Sequence, residues 1–103
     1  MRYQLTLQFH GDSLDDYDAI IALENELNEE LGDSAEVDGH DVGSGQANVF
    51  ILTSDPLTTF QRAKPVLERK QYLQAARAAY RPVQGEHYTV IWPENSTTEF
   101  RVI

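Results

Sequence analysis

Asp38-Gly39-His40-Asp41-Val42-Gly43-Ser44-Gly45-Gln46-Ala47-Asn48-Val49-Phe50-Ile51-Leu52-Thr53-Ser54-Asp55-Pro56 reads as the end of one strand, a glycine-rich turn, the most apolar strand of the chain and the start of a helix. Val49–Leu52 is apolar on both sides of the pleat, as expected of a central strand covered on both faces. Gly43-Ser44-Gly45 reads as a hairpin turn. Asp55 is placed to cap the following helix, with Pro56 at its first position. Residues 34–42, polar and containing glycine, suit an edge strand.

Working back from this stretch, residues 2–10 alternate. Tyr3, Leu5, Leu7 and Phe9 point one way; Gln4, Thr6, Gln8 and His10 point the other, which predicts a strand with one face on a core. Ser13 is a candidate N-cap and Asp16 its capping-box partner. Tyr17, Ile20, Ile21, Leu27 and Leu31, with Leu14 and Leu23, make a helical apolar stripe that ends at Gly32.

Working forward, Leu57, Phe60, Ala63 and Leu67 give the second helix its buried stripe. Pro65 removes a backbone hydrogen bond and is expected to kink or restart that helix. Residues 73–80 are compatible with a helix through their alanine content and with a strand through alternation; the alternation and Pro82 favour a strand over 75–82. His87–Trp92 is rich in β-branched and aromatic residues and predicts a strand. Residues 99–103 are a candidate short final strand.

The resulting order, β-α-β-β-α-β with a C-terminal hairpin or ribbon, predicts one α+β domain over residues 1–103, with an antiparallel sheet and two helices on one face. Over about 85 residues this order resembles the ferredoxin-like split βαβ arrangement. The resemblance is one of element order, so it implies a fold and carries no functional residues.

Composition narrows the function classes. The chain has 103 residues, no cysteine and a formal net charge of −9. Disulfides and thiolate chemistry are excluded. Nucleic-acid and anionic-membrane partners are disfavoured, because both reward clustered Lys and Arg. The alternating N-terminus does not read as a signal peptide, and no apolar run reaches membrane-spanning length, so a cytoplasmic protein is expected. Twelve of the seventeen acids fall between Asp12 and Asp41, where there is no Lys or Arg, while six of the eight basic residues fall between Arg62 and Arg81. Two readings follow. The acidic first helix neighbours the basic second one, or the acidic lobe with Glu36, Asp38 and Asp41 meets a basic surface on another protein.

No phosphate-loop, dinucleotide or nucleophile-elbow pattern is present, and no cofactor or metal site is expected. Strand alternation puts Asp38 and His40 on one face, and His10 and His87 could join them only through tertiary approach. The candidate binding residues are therefore Glu36, Asp38, His40, Asp41 and Ser44 near the turn, with Gln4, Gln8 and His10 on the outward sheet face. The third strand must also present either Val49 and Ile51 or Phe50 and Leu52 on that face, which calls for a cover: the C-terminal hairpin, a second subunit, or a partner.

The sequence favours binding over catalysis. The first reading is a small acidic binding protein, such as a bacterial immunity-type or inhibitory partner of a basic protein. The second is a ligand-sensing or dimerising ferredoxin-like regulatory module, which predicts a homodimer with Val49–Leu52 near its interface. The third is an enzyme using His10, Asp38 and His40.

Overall fold

The computed structural model describes residues 2–10, 17–43, 45–96 and 99–102. The expected cap at Ser13 and Asp16, the apolar Leu14 and the turn residue Ser44 lie outside the described residues. The elements run β1 (Tyr3–His10), α1 (Tyr17–Leu31), β2 (Ala35–Gly43), β3 (Gln46–Thr53), α2 (Pro56–Arg69), β4 (Ala76–Pro82) and β5 (Thr89–Trp92), with 3₁₀ turns at Gly32–Ser34 and Leu73–Ala75. The chain is α+β: all four strand pairings are antiparallel, in one sheet of order β2-β3-β1-β4-β5.

The alternation of β1 builds the core. Leu5, Leu7 and Phe9 are buried beside Ile51, Val49 and Ala47 of β3 and beside Tyr80, Ala78 and Ala76 of β4. Against this face pack Ile20, Leu23, Leu27 and Leu31 of α1 and Phe60, Ala63, Val66 and Leu67 of α2. Each large apolar side chain buried this way contributes about 1.5–3 kcal/mol of transfer free energy, so this layer dominates stability. The middle of the sheet is β1, with β3 one place nearer the β2 edge. Val49 and Ile51 point into the core, and Phe50 and Leu52 are the half-buried pair on the opposite face.

Two stripe residues behave otherwise than their spacing implies. Tyr17 and Leu57 are exposed, 64% and 55%. Both stand at the N-terminal end of the helical residues described. The strand reading of 75–82 holds, because Ala76, Ala78 and Ala79 are all buried between neighbours. β5 begins at Thr89, two residues later than the composition suggests, and residues 99–102 form no strand.

Of the kink or restart expected at Pro65, the restart does not occur: α2 continues through it to Arg69. Pro65 is exposed, as is Gln61, whose carbonyl a proline at 65 cannot serve, while Ala63, Val66 and Leu67 on either side stay packed. Packing on the buried face outweighs the missing bond on the wet one. Because an interior proline costs a helix about 3 kcal/mol relative to alanine, Pro65→Ala is expected to raise the unfolding free energy by at least about 1 kcal/mol. A neutral or destabilising result in urea would contradict the uninterrupted helix.

α2 starts as its sequence demands. Asp55 accepts from the Thr58 backbone N–H at 3.1 Å and from the Thr58 hydroxyl at 2.8 Å, and Pro56 occupies the first turn. These bonds to the ionised carboxylate, the backbone one first, hold the Asp55 pKa below its ordinary value of 3.8. A depressed carboxyl stabilises the fold above its unfolded-state pKa, and that contribution is lost as pH falls through the lower folded-state value. Asp55→Ala should therefore lower Tm at neutral pH, with the gap to wild type closing below pH 3.8. A gap that stays constant down to the acid transition would count against the cap.

Candidate functional site

Strand register assembles the sheet face opposite the helices into rows. One row runs Glu36–Leu52–Gln4–Arg81 and another Asp41–Asn48–Gln8–Arg77. Between them lies Gly39–Phe50–Thr6–Ala79, and beyond them Gly43–Gln46–His10. Each of the first two rows begins on an acid of the β2 edge and ends on an arginine of β4. The face is thus acidic at one side and basic at the other, with amides and two half-buried apolar side chains between.

The middle of this face is a closed hydrogen-bond network. The Gln8 amide nitrogen sits among three acceptors: Gln46 Oε1 at 3.3 Å, Asn48 Oδ1 at 3.0 Å and the Arg101 carbonyl at 2.7 Å. Asn48 Nδ2 donates to Gln46 Oε1 at 3.1 Å, and Gln46 Nε2 donates to the Arg101 carbonyl at 3.3 Å. His10 Nε2 lies 2.8 Å from Gln8 Oε1; because that oxygen can only accept, the His10 proton sits on Nε2. Gln8, Asn48 and Thr6 are at most 2% exposed, and among the described residues no buried side-chain nitrogen or oxygen lacks a partner. Buried amides are tolerated only when satisfied in this way.

The cover over this face comes from the chain itself. Phe100 is buried, 4.9 Å from the Tyr88 ring and 5.3 Å from the Arg77 guanidinium. Arg77 donates to the Glu99 carbonyl at 3.1 Å. The Tyr88 hydroxyl reaches Gln4 and Thr6, each at 3.2 Å. Arg81 donates to the carbonyls of Pro82, Val83 and Gly85, closing the turn that leads to Tyr88. Residues 99–101 therefore lie across the face as a strap held by side chains.

The predicted binding residues divide between the two faces. Gln4, Gln8, His10, Glu36 and Asp41 share the outer face through the rows above. Asp38 and His40 do not share a face, because the register shifts between Val37 and Gly39. Gly39 takes a φ of +144°, a conformation side-chain-bearing residues rarely adopt, and the extra residue inverts the alternation. His40 consequently falls on the helix side with Val37, where its Nδ1 lies 3.0 Å from Glu24 Oε1 of α1, and the Tyr17 ring stands edge-on at 5.7 Å. A carboxylate oxygen accepts, so His40 carries its proton on Nδ1. His10 and His40 thus sit on opposite faces of strands two spacings apart, roughly 10 Å. His87 is exposed on the connection before β5. Among the described residues no three His, Asp or Glu side chains are grouped to hold a metal ion.

Several contributors escape a strand-by-strand reading. Gln46 and Asn48 were legible in principle, since they share the parity of Phe50 and Leu52. Arg77, Arg81, Tyr88 and Phe100 reach the face only through tertiary approach, as does Glu24 toward His40. An open cleft of about 570 Å³ between β2 and the turn after α1 is lined by Arg2, Asn28, Asp33, Ser34 and Glu36 among others. Arg2 and Glu36 approach to 3.8 Å there, both more than half exposed, a geometry worth little.

The charge segregation resolves into a set of internal contacts. Arg62 donates to the carbonyls of Glu30 and Leu31, the latter at 3.4 Å, and to Ser34 Oγ at 2.6 Å. It thereby supplies the C-terminal cation that α1 lacks in its own last turn. Lys70 pairs with Glu26 at 2.6 Å and Arg69 approaches the same carboxylate at 3.9 Å. Lys64 lies over the Trp92 ring at 4.2 Å. With Arg77 and Arg81 on the outer face, all six basic residues of the Arg62–Arg81 segment have partners within the chain. The acids are exposed in larger number: Asp18, Glu29, Asp33, Glu36, Asp38 and Asp41 all face solvent. Among the described residues no helix is long and apolar enough to cross a membrane. No protein-family model, curated protein or solved structure matches the chain.

Proposed function

We propose that this chain is a small acidic binding protein of the cytoplasm that engages a basic protein partner, in the manner of an immunity or inhibitory protein. The observation that carries the reading is the asymmetry of charge use. The cations of α2 and β4 are held in place by contacts within the chain, with Lys70 and Arg69 sharing Glu26, while Asp18, Glu29, Glu36, Asp38 and Asp41 of α1 and β2 face solvent on a chain of net charge −9. A surface arranged this way attracts a cationic partner over about one Debye length, ~10 Å at 0.1 M salt, and raises its association rate. The sheet order β2-β3-β1-β4, antiparallel throughout, supports placing the first four strands and both helices in the ferredoxin-like split βαβ arrangement, with β5 extending the β4 edge.

A ligand-sensing or dimerising module is the second reading, and the half-buried pair Phe50 and Leu52 is what favours it. It has less support than the first. Val49 and Ile51 belong to the core, and part of the outer face carries the chain's own cover. Catalysis by His10, Asp38 and His40 has least support, given their separation across the sheet.

The test is capture from the native cell extract on immobilised chain at low salt, beside a bait carrying Glu36→Gln, Asp38→Asn and Asp41→Asn. The expected result is a protein of pI above about 9 that binds the wild-type bait, is released by salt and is depleted on the neutralised bait. Recovery of no basic protein, or of the same set on both baits, would overturn the proposal.

A further inference from the structure

The outer face is an odd surface to cover permanently. Gln8, Asn48, Gln46 and Thr6 are buried on it, yet a face meant only to be sealed is satisfied more simply by apolar side chains. The donors that leave the sheet converge on main-chain carbonyls. Gln8 and Gln46 both donate to the Arg101 carbonyl, and Arg77 donates to the Glu99 carbonyl. Between those two carbonyls, Phe100 drops its ring among Tyr88 and Arg77. Three side-chain donors reading two backbone acceptors, with one pocket for the intervening aromatic, is the chemistry by which a protein holds an extended peptide. Nothing in it reads the side chains of residues 99 and 101. The face also runs on past the strap, since Phe50 and Leu52 stay half-buried in the rows beside Thr6 and Gln4.

We infer that the outer sheet face is a peptide-binding groove, occupied in cis by residues 99–101, whose intended occupant is an extended segment of a partner protein presenting one aromatic side chain flanked by two free main-chain carbonyls. The strap is its internal competitor. Among the described residues it forms no strand ladder with the sheet, so a partner segment that displaces it takes over the Gln8, Gln46 and Arg77 donors and the ring site. A longer segment adds burial over Phe50 and Leu52 that the strap does not complete. Because the strap is tethered, it competes at an effective concentration in the millimolar range, and weakening it should raise affinity for a peptide in trans.

The experiment uses the full chain and a fluorescein-labelled peptide with the sequence of residues 94–103. Phe100→Ala in the protein empties the pocket while leaving Gln8, Gln46 and Arg77 in place. The peptide is expected to bind this variant at least about tenfold more tightly than it binds wild type, and to lose binding when its own phenylalanine is replaced by alanine. Unrelated ten-residue peptides with one central phenylalanine should bind within about tenfold of it, because the remaining contacts are to main chain. If Phe100→Ala does not fold, as judged by circular dichroism, Phe100→Leu takes its place; it weakens the strap's hold on the ring site and leaves Gln8, Gln46 and Arg77 unchanged. A folded variant that binds no peptide, or binds irrespective of the aromatic, overturns the inference. Binding restricted to the chain's own sequence assigns the strap a purely structural role and also overturns it. A concentration-dependent wild-type dimer that the free peptide dissociates gives the groove to a second copy, and removes the partner from the account.

Discussion

Replacing Gln8 with leucine lowers the unfolding free energy by about 2 kcal/mol, although the side chains are similar in size and leucine is the more apolar. The loss follows from what Gln8 satisfies. Its amide nitrogen serves Gln46 Oε1, Asn48 Oδ1 and the Arg101 carbonyl, and its oxygen accepts from His10. Gln46 Oε1 retains Asn48 Nδ2 and the Arg101 carbonyl retains Gln46 Nε2, but Asn48 is buried, so its Oδ1 cannot recover the lost bond from water. Each buried group left without a partner costs about 1–3 kcal/mol, against which the better transfer free energy of leucine is a partial offset. Urea denaturation of the two proteins measures the difference. A loss below about 1 kcal/mol, within the range of an ordinary surface change, would mean that the network is replaceable by water and that the strap does not exclude it. The same substitution removes the stronger of the two donors on the Arg101 carbonyl, so it should also loosen residues 99–102, visible as increased solvent accessibility of the Tyr88 ring.

The second large effect is kinetic. Reversing the three acids of β2, as Glu36→Lys, Asp38→Lys and Asp41→Lys, should slow association with the captured basic protein at least about 100-fold at low ionic strength. Dissociation should change far less, because exposed rim charges act mainly on encounter. All three side chains are exposed and the edge strand gains nothing from their charge in the core, so the variant should fold as wild type does. The effect should shrink as salt is added and the interaction range contracts. Equal association rates for variant and wild type would move the contact off the β2 edge; a loss that salt does not diminish would make it structural, not electrostatic.

The sheet was legible where side-chain chemistry and strand period agree. Tyr3 to His10 announces its two faces, and the burial of Leu5, Leu7 and Phe9 on one side and the amide network of Gln8 on the other follow from it. The cap at Asp55 and the stop at Gly32 were legible for the same reason, since few residues serve those positions. The bulge in β2 was not read, although Gly39 inside a strand is a signal for one. It moved His40 to the opposite face and dissolved the grouping with Asp38 that alternation implied. Pro65 was read as a kink or a restart, and the restart does not occur because Ala63, Val66 and Leu67 around it are held by the core. Residues 99–102 misled in the other direction. Glu-Phe-Arg-Val has the composition of a strand, but the Arg101 carbonyl is claimed by glutamine side chains from β1 and β3. Glu24 as the partner of His40, and Arg77, Tyr88 and Phe100 over the outer face, depend on contacts between distant segments that no local pattern records.

Amide chemical-shift mapping reads directly which surface of the chain meets the proposed partner. Isotopically labelled chain titrated with the captured basic protein should show its largest perturbations along Glu36–Asp41 and on the exposed side of α1, at Asp18, Asn25 and Glu29. Amides of α2 between Arg62 and Lys70, whose cations are engaged within the chain, should stay close to their free positions. Perturbations centred instead on Arg62–Lys70 or on β5, with the β2 edge unmoved, would contradict the account.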